Sequence, residues 1–282
     1  MTKQKDKHNL KTSFVKIGDN NIRYTQKGKG KDILLIHGMP GSIEDWKEII
    51  NPLSKHFRVT AFDRLGHGHS SAKNYTYHIQ DNAILVEKII ETLNLVFPYI
   101  VGHSYGGSIV ANLAAKYNFK NFNFMIVDSP LYGYDAEFKF KLVATPIIGK
   151  LLAFISSFTI AKSEIKKGVS VLFSSLEKEK IDELVAERQE LWKQVKVIYS
   201  KSKESVNYGN DLQKQSMKYK KIEAKITIVT ANNFPGTYGN DCKKFHSEVL
   251  NSKLVVLENT GHYIQLEKIK ELIQIIISEN TL

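Results

Sequence analysis

Residues 101–108 read Val-Gly-His-Ser-Tyr-Gly-Gly-Ser, and this stretch decides the fold. An apolar run precedes it (Val96, Phe97, Tyr99, Ile100, broken by Pro98) and another follows it (Ile109, Val110, Ala111, Leu113). The first is a strand pattern and the second a helix pattern, so Ser104 sits at a strand-to-helix joint. Gly102-His103-Ser104-Tyr105-Gly106 fits G-x-S-x-G, a tight turn that lifts a serine hydroxyl clear of a sheet. The flanking positions crowd the backbone at such a turn, and glycine has no Cβ to clash. The turn also leaves the first N–H groups of the following helix unpaired and able to face a developing negative charge.

Strands and helices alternate outward from this joint. "SFVKIG" and "NIRYTQKG" are short β-type runs separated by a turn, and "GKGK" leads into "DILLIHG". "ILLI" is continuously apolar, as in a strand covered on both faces. "FRVTAFD" (57–63), "FNFMIVD" (122–128), "KITIVTA" (225–231) and "KLVVLEN" (253–259) are further strands. Residues 79–94 have helical spacing, with Ile79, Ala83, Val86, Ile89, Ile90 and Leu93 on one face. "IQLEKIKELIQIIISEN" closes the chain as one amphipathic helix. The alternation predicts an α/β architecture with a mostly parallel sheet and helices on both faces.

One block breaks it. Residues 131–221 carry helical patterns and no convincing strand, which predicts a helical insertion covering a pocket, because so long a structureless loop is improbable in a compact domain. Residues 1–12 read as a frayed basic tail, and 13–130 with 222–282 as the core. Within the insertion, "LVATPIIGKLLAFISSFTI" (142–160) is strongly apolar. Pro146, Gly149 and Lys150 interrupt it, which argues against a membrane span and leaves loose attachment to a membrane surface open.

The chain has 282 residues and a formal net charge of +11. The charge is nearly all lysine, with four arginines, and it is scattered, so nucleic acid is not the expected partner. Cys242 is the single cysteine, which excludes an internal disulfide. With a polar first dozen residues lacking an apolar signal segment, it leads to the expectation of a reducing, cytoplasmic compartment.

The sequence resembles the α/β-hydrolase family over nearly its full length. The resemblance rests on "HGMPG" (37–41), "DRLGHGHS" (63–70), "GHSYGG" (102–107) and "NTGHYIQLE" (259–267), in the family's order. It implies an eight-stranded sheet, a Ser-acid-His triad and a helical lid at the position of block 131–221. By the same resemblance Ser104 is the nucleophile, His262 the base, and the backbone N–H groups of Met39 and Tyr105 the oxyanion hole. His37, His67, His69 and His103 read as structural residues in turns, and neither a metal nor an organic cofactor is expected.

The triad acid departs from the pattern. The family's usual place, after the seventh strand, holds Asn232, Asn233 and Phe234. Asp128 lies 24 residues after Ser104 at the end of "FMIVD", on the sheet edge where ligands bind in open α/β folds. Asp241 is a second candidate, and a chain without an acid is the third reading. The expected function is cleavage of an ester or related acyl bond of a small, partly hydrophobic molecule. The alternatives are a non-catalytic ligand-binding protein on the same fold, or a carbon–carbon bond hydrolase or perhydrolase using the same triad.

Overall fold

The computed structural model describes residues 10–116, 122–133, 135–232 and 237–281, and within them every expected strand forms. These are β1 (Ser13–Ile17), β2 (Asn20–Lys27), β3 (Asp32–Ile36), β4 (Arg58–Phe62), β5 (Tyr99–His103), β6 (Asn123–Val127), β7 (Lys225–Ala231) and β8 (Ser252–Leu257). They build one eight-stranded sheet in the order β1-β2-β4-β3-β5-β6-β7-β8. β2 runs against both its neighbours, and the pairs from β4 to β8 are parallel. The residues of β3 and β5 are all buried, as continuous apolar runs require when helices cover both faces.

The helices are α1 (Lys47–Leu53), α2 (Ile79–Thr92), α3 (Tyr105–Lys116), α4 (Phe138–Val143), α5 (Pro146–Phe158), α6 (Ala161–Ser170), α7 (Lys178–Trp192), α8 (Val195–Ser216), α9 (Gly239–Glu248), α10 (Ile264–Glu267) and α11 (Ile269–Thr281). The alternation of β3 divides the core. Leu34 and Ile36 join Ile109 of α3, Val86 of α2 and Phe245 of α9, while Ile33 and Leu35 join Ile50 of α1 and Ile276 of α11. The closing helix differs from expectation. Lys268 leaves helical angles (φ −119°, ψ 50°) and divides it into α10 and α11.

Between β6 and β7 the described residues form α4 to α8 and a short 3₁₀ turn, with no strand. Two buried ion pairs tie this segment to the rest. Glu204 of α8 accepts from Arg64 Nη1 at 2.7 Å and Nη2 at 3.2 Å, and His67 and Tyr75 also bond it. Arg188 of α7 donates to Asp45 at 2.6 Å. Burial alone would raise the Glu204 carboxyl, but the charge of Arg64 and the hydrogen bonds it accepts hold it well below the ordinary carboxylate range. Removing one partner of such a pair leaves a buried charge uncompensated, which costs about 3–5 kcal/mol. Glu204→Ala is therefore expected to lose about that much stability in urea unfolding. A loss below about 1 kcal/mol would mean that Arg64 finds another partner.

The apolar run in this segment faces the opposite way from the expected one. Gly149 and Ala153 of α5 are buried, whereas the larger Ile147, Ile148, Leu151, Phe154, Ile155 and Phe158 are exposed. A Cβ on Gly149 would lie 2.1 Å from the Val143 carbonyl oxygen and 3.3 Å from the Tyr199 ring. The close approach of α5 to α4 and α8 thus selects its small-residue side, and the large side chains turn outward.

Candidate active site

β5 ends at His103 and α3 begins at Tyr105, so Ser104 alone makes the turn. Its φ is +55°, a region that non-glycine residues occupy sparsely. Neighbours hold it there. The Ser104 N–H donates to the Val127 carbonyl at 3.0 Å, and its own carbonyl accepts from the Gly107 N–H at 2.8 Å and from the Ser129 hydroxyl. The glycines have a measurable reason. A Cβ on Gly102 would lie 2.2 Å from the Gly106 oxygen, one on Gly106 2.3 Å from the Ile36 oxygen, and one on Gly107 2.7 Å from the Ser129 side chain. The turn folds on itself and onto the end of β3 with no room for a methyl group.

The loop after β3 closes over the serine. A Cβ on Gly38 would come within 3.0 Å of Ser104 Cβ. Its neighbour His37 is buried, and Arg64 N–H donates to its Nε2 at 2.9 Å while Nδ1–H donates to the Gly38 carbonyl at 2.9 Å. Among the described residues the Met39 and Tyr105 amides donate to no partner. Tyr105 follows Ser104 directly and Met39 follows Gly38, the residue packed on Ser104, so these two amides are the candidates to face an oxyanion there.

Asp128 follows β6 directly at φ +39° and is fully buried. Its Oδ2 lies 2.6 Å from His262 Nδ1. Its Oδ1 accepts from Thr230 Oγ1 at 2.7 Å and from the Tyr238 N–H at 3.2 Å. A carboxylate only accepts, so His262 Nδ1 carries the proton and Nε2 is left as the basic nitrogen. The His262 N–H donates to the Leu172 carbonyl at 2.8 Å, and the His262 carbonyl accepts from His103 Nε2 at 2.9 Å. Its ring packs between His103 and Tyr238 at centroid distances of 4.5 and 5.3 Å. Ser104 is 9% exposed, and among the described residues its hydroxyl makes no hydrogen bond, so the serine–histidine contact is not closed here. Such contacts commonly tighten only in the complex with substrate.

The other candidate acids are engaged elsewhere. Asp241 accepts the Leu131 N–H at 2.8 Å and the Tyr132 N–H at 3.2 Å, pinning the chain after β6. Asn232 donates to the exposed Glu258 carboxylate at 3.0 Å. Asn233 and Phe234 lie outside the described residues, as do residues 1–9 of the tail. His67 bonds Glu204, and the His69 N–H donates to Asp63 at 2.8 Å.

Two residues of the site carried no sequence signal. Ser129, which grips the Ser104 carbonyl, is an ordinary serine in a loop. Glu267 lies inside the quoted "NTGHYIQLE", but its role shows only in space. It accepts from the Gly261 N–H at 2.6 Å, Thr260 Oγ1 at 3.0 Å and the Ser174 N–H at 2.7 Å, which joins the His262 loop to the chain leaving α6.

Burial holds the imidazoles of His37 and His103 well below their ordinary value of 6.5, and lowers that of His67. In the unfolded chain each takes up a proton below about pH 6.5. The unfolded state then binds more protons, so stability is full above about pH 6.5 and is lost as pH falls below it. Burial acts in the opposite sense on the carboxyls of Asp45 and Asp63, raised to about 6. Their contribution grows as pH falls from about 6 towards 4. Three imidazoles outweigh two carboxyls at the start of this range, so Tm is expected to be lower at about pH 5.5 than at about pH 7.5. An equal or higher Tm at the lower pH contradicts this.

The sequence profile described as alpha/beta hydrolase fold matches residues 32–269. Among curated proteins, a dihydrolipoyllysine-residue acetyltransferase component of an acetoin cleaving system from Cupriavidus necator is 32% identical over 102 residues, 36% of this chain and 27% of that protein. An (E)-2-((N-methylformamido)methylene)succinate hydrolase from Acinetobacter baylyi is 33% identical over 96 residues, 34% of this chain and 36% of that protein. The chain thus spans about a third or less of the length of these relatives. Among solved structures, the enol-lactonase from Burkholderia xenovorans matches with a TM-score of 0.78 at 18% identity, covering 96% of this chain and 100% of that one. The last likeness is one of fold.

Proposed function

We propose, from the premise that this chain belongs to the α/β-hydrolase fold family, that it is a serine hydrolase cleaving an ester or related acyl bond through an acyl-enzyme. One observation carries the reading: the 2.6 Å contact of Asp128 Oδ2 with His262 Nδ1, on the loop edge where the strained turn presents Ser104. A chain without an acid would favour a non-catalytic binding protein, and this contact supports the reading with an acid instead.

The chemistry follows from the donors and acceptors. Ser104 Oγ attacks the substrate carbonyl carbon as His262 Nε2 takes its proton. The Met39 and Tyr105 N–H groups stabilise the oxyanion, each worth about 3–4 kcal/mol in comparable sites. Asp128 stabilises the imidazolium through Nδ1–H. The tetrahedral species collapses, and His262 returns the proton to the leaving alkoxide. Water, deprotonated by His262, then attacks the acyl-enzyme and releases the acid with Ser104 restored.

In this reading α4 to α8 form a lid over the site. The backbone of Leu172 and Phe173 lies against Gly261 beside His262, which supports a lid that reaches the site. The test is turnover of p-nitrophenyl esters from acetate to octanoate. Saturable release of p-nitrophenol that depends on acyl length supports the reading, and no turnover above buffer contradicts it.

A further inference from the structure

We infer that α5 docks on the surface of a bilayer containing anionic lipid, lying in its plane with Ile147, Leu151, Phe154 and Phe158 in the lipid. A helix on a water-soluble protein puts its large apolar residues inward. α5 does the reverse: Gly149 and Ala153 face the protein, Ile147 is 88% exposed and Phe158 77% exposed. The exposed side chains recur at positions 147, 148, 151, 154, 155 and 158, one continuous helical stripe. Leu142 before it and Ile160 after it extend the patch. Contiguous apolar surface of this kind marks an interaction site.

Charge selects the occupant. From residue 137 to residue 167 the charged side chains are Lys139, Lys141, Lys150, Lys162, Lys166 and Lys167, against Glu137 and Glu164. Lys139 and Lys167 pair with these acids and Lys162 with Glu190, while among the described residues Lys141, Lys150 and Lys166 make no ion pair. An apolar stripe with lysines around it is the pattern of helices that lie in the interface of anionic membranes. A second copy of the chain would bring like surfaces together, patch on patch, and set lysine against lysine. A spanning geometry does not fit either. α5 has 13 residues, and a helix of that length reaches about 20 Å, short of a hydrocarbon core of about 30 Å. α6 turns away from it by 76°. α6 leads directly to Leu172, whose carbonyl holds the His262 N–H, so the docked face belongs to the same piece of chain that touches the candidate active site.

The inference stands apart from the hydrolase reading, because its test measures binding. Vesicles of equimolar phosphatidylcholine and phosphatidylglycerol are floated with the full-length protein, beside vesicles of phosphatidylcholine alone. The wild type is expected to float with the anionic vesicles, at least about tenfold more tightly than with the neutral ones, and to be released by about 0.5 M NaCl. The triple variant Ile147→Ser, Leu151→Ser, Phe158→Ser changes only exposed side chains. It is expected to keep the wild-type Tm in solution and to lose at least about tenfold in anionic binding. Lys141→Glu with Lys166→Glu, which leaves the stripe intact, is expected to weaken binding to the anionic vesicles alone. No flotation of the wild type, equal flotation with both vesicle types, or undiminished binding by the triple variant would overturn the inference. So would a wild-type dimer in light scattering without vesicles that the triple variant abolishes, since the patch would then belong to a second copy.

Discussion

Ser104→Ala is expected to lower kcat/KM for a short p-nitrophenyl ester by a factor on the order of 10⁵–10⁶, while the protein stays folded. The size follows from the site acting as a unit. Without Oγ, His262 has no proton to take and no acyl-enzyme forms, so Asp128 and the Met39 and Tyr105 amides can act only on a water-attack background. The fold should hardly respond. The turn is fixed by backbone bonds to Val127 and Gly107 and by the Ser129 hydroxyl on the Ser104 carbonyl, none of which uses Oγ. Alanine at φ +55° is strained much as serine is, so Tm should move by only a few degrees. A loss below about tenfold, in enzyme free of wild-type contamination, would remove Ser104 from the chemistry.

Asp128→Asn is expected to lower kcat by about 10³–10⁴. The local hydrogen bonds give the direction. Thr230 Oγ1 and the Tyr238 N–H both donate to Asp128 Oδ1. An asparagine must therefore present its carbonyl there and its NH₂ to His262 Nδ1. That amide donates where the carboxylate accepts, so Nδ1 must give up its proton and Nε2 takes it. Nε2, the nitrogen proposed to take the Ser104 proton, is then protonated and cannot act as base. Asp241→Asn serves as the control. Its carboxylate holds the Leu131 and Tyr132 amides, so the change should lower stability while leaving kcat within a few-fold. If Asp128→Asn kept kcat within tenfold and Asp241→Asn did not, the acid would have to be reassigned.

The sheet was legible in the sequence because the parallel strands are short, largely apolar runs alternating with helical patterns, and the two antiparallel ones are β-type runs parted by a turn; all eight form strands. Ser104 was legible for a local reason, since steric demand at one tight turn imposes glycine at fixed offsets. Asp128 was favoured over Asp241 because it ends the run "FMIVD" at the sheet edge, and it lies just past β6 against His262 Nδ1. What remained hidden depends on distant pairing. Glu204 and Arg64 are 140 residues apart, and neither looks unlike an exposed helix or loop charge until both are buried. Thr230 and Tyr238, which orient Asp128, and Glu267, which steadies the His262 loop, are likewise defined only by what folds onto them. The α5 stripe was visible as apolar composition, but its direction was not, because the close approach of α4 and α8 to Gly149 determines which side turns inward.

The most direct test of the account is intact-mass analysis after incubation with a fluorophosphonate probe, which phosphonylates only a serine activated by a base. The account predicts one adduct per wild-type chain, none on Ser104→Ala, and much slower labelling of Asp128→Asn. A folded wild-type protein that stays unlabelled, or one labelled equally well without Ser104, would contradict it.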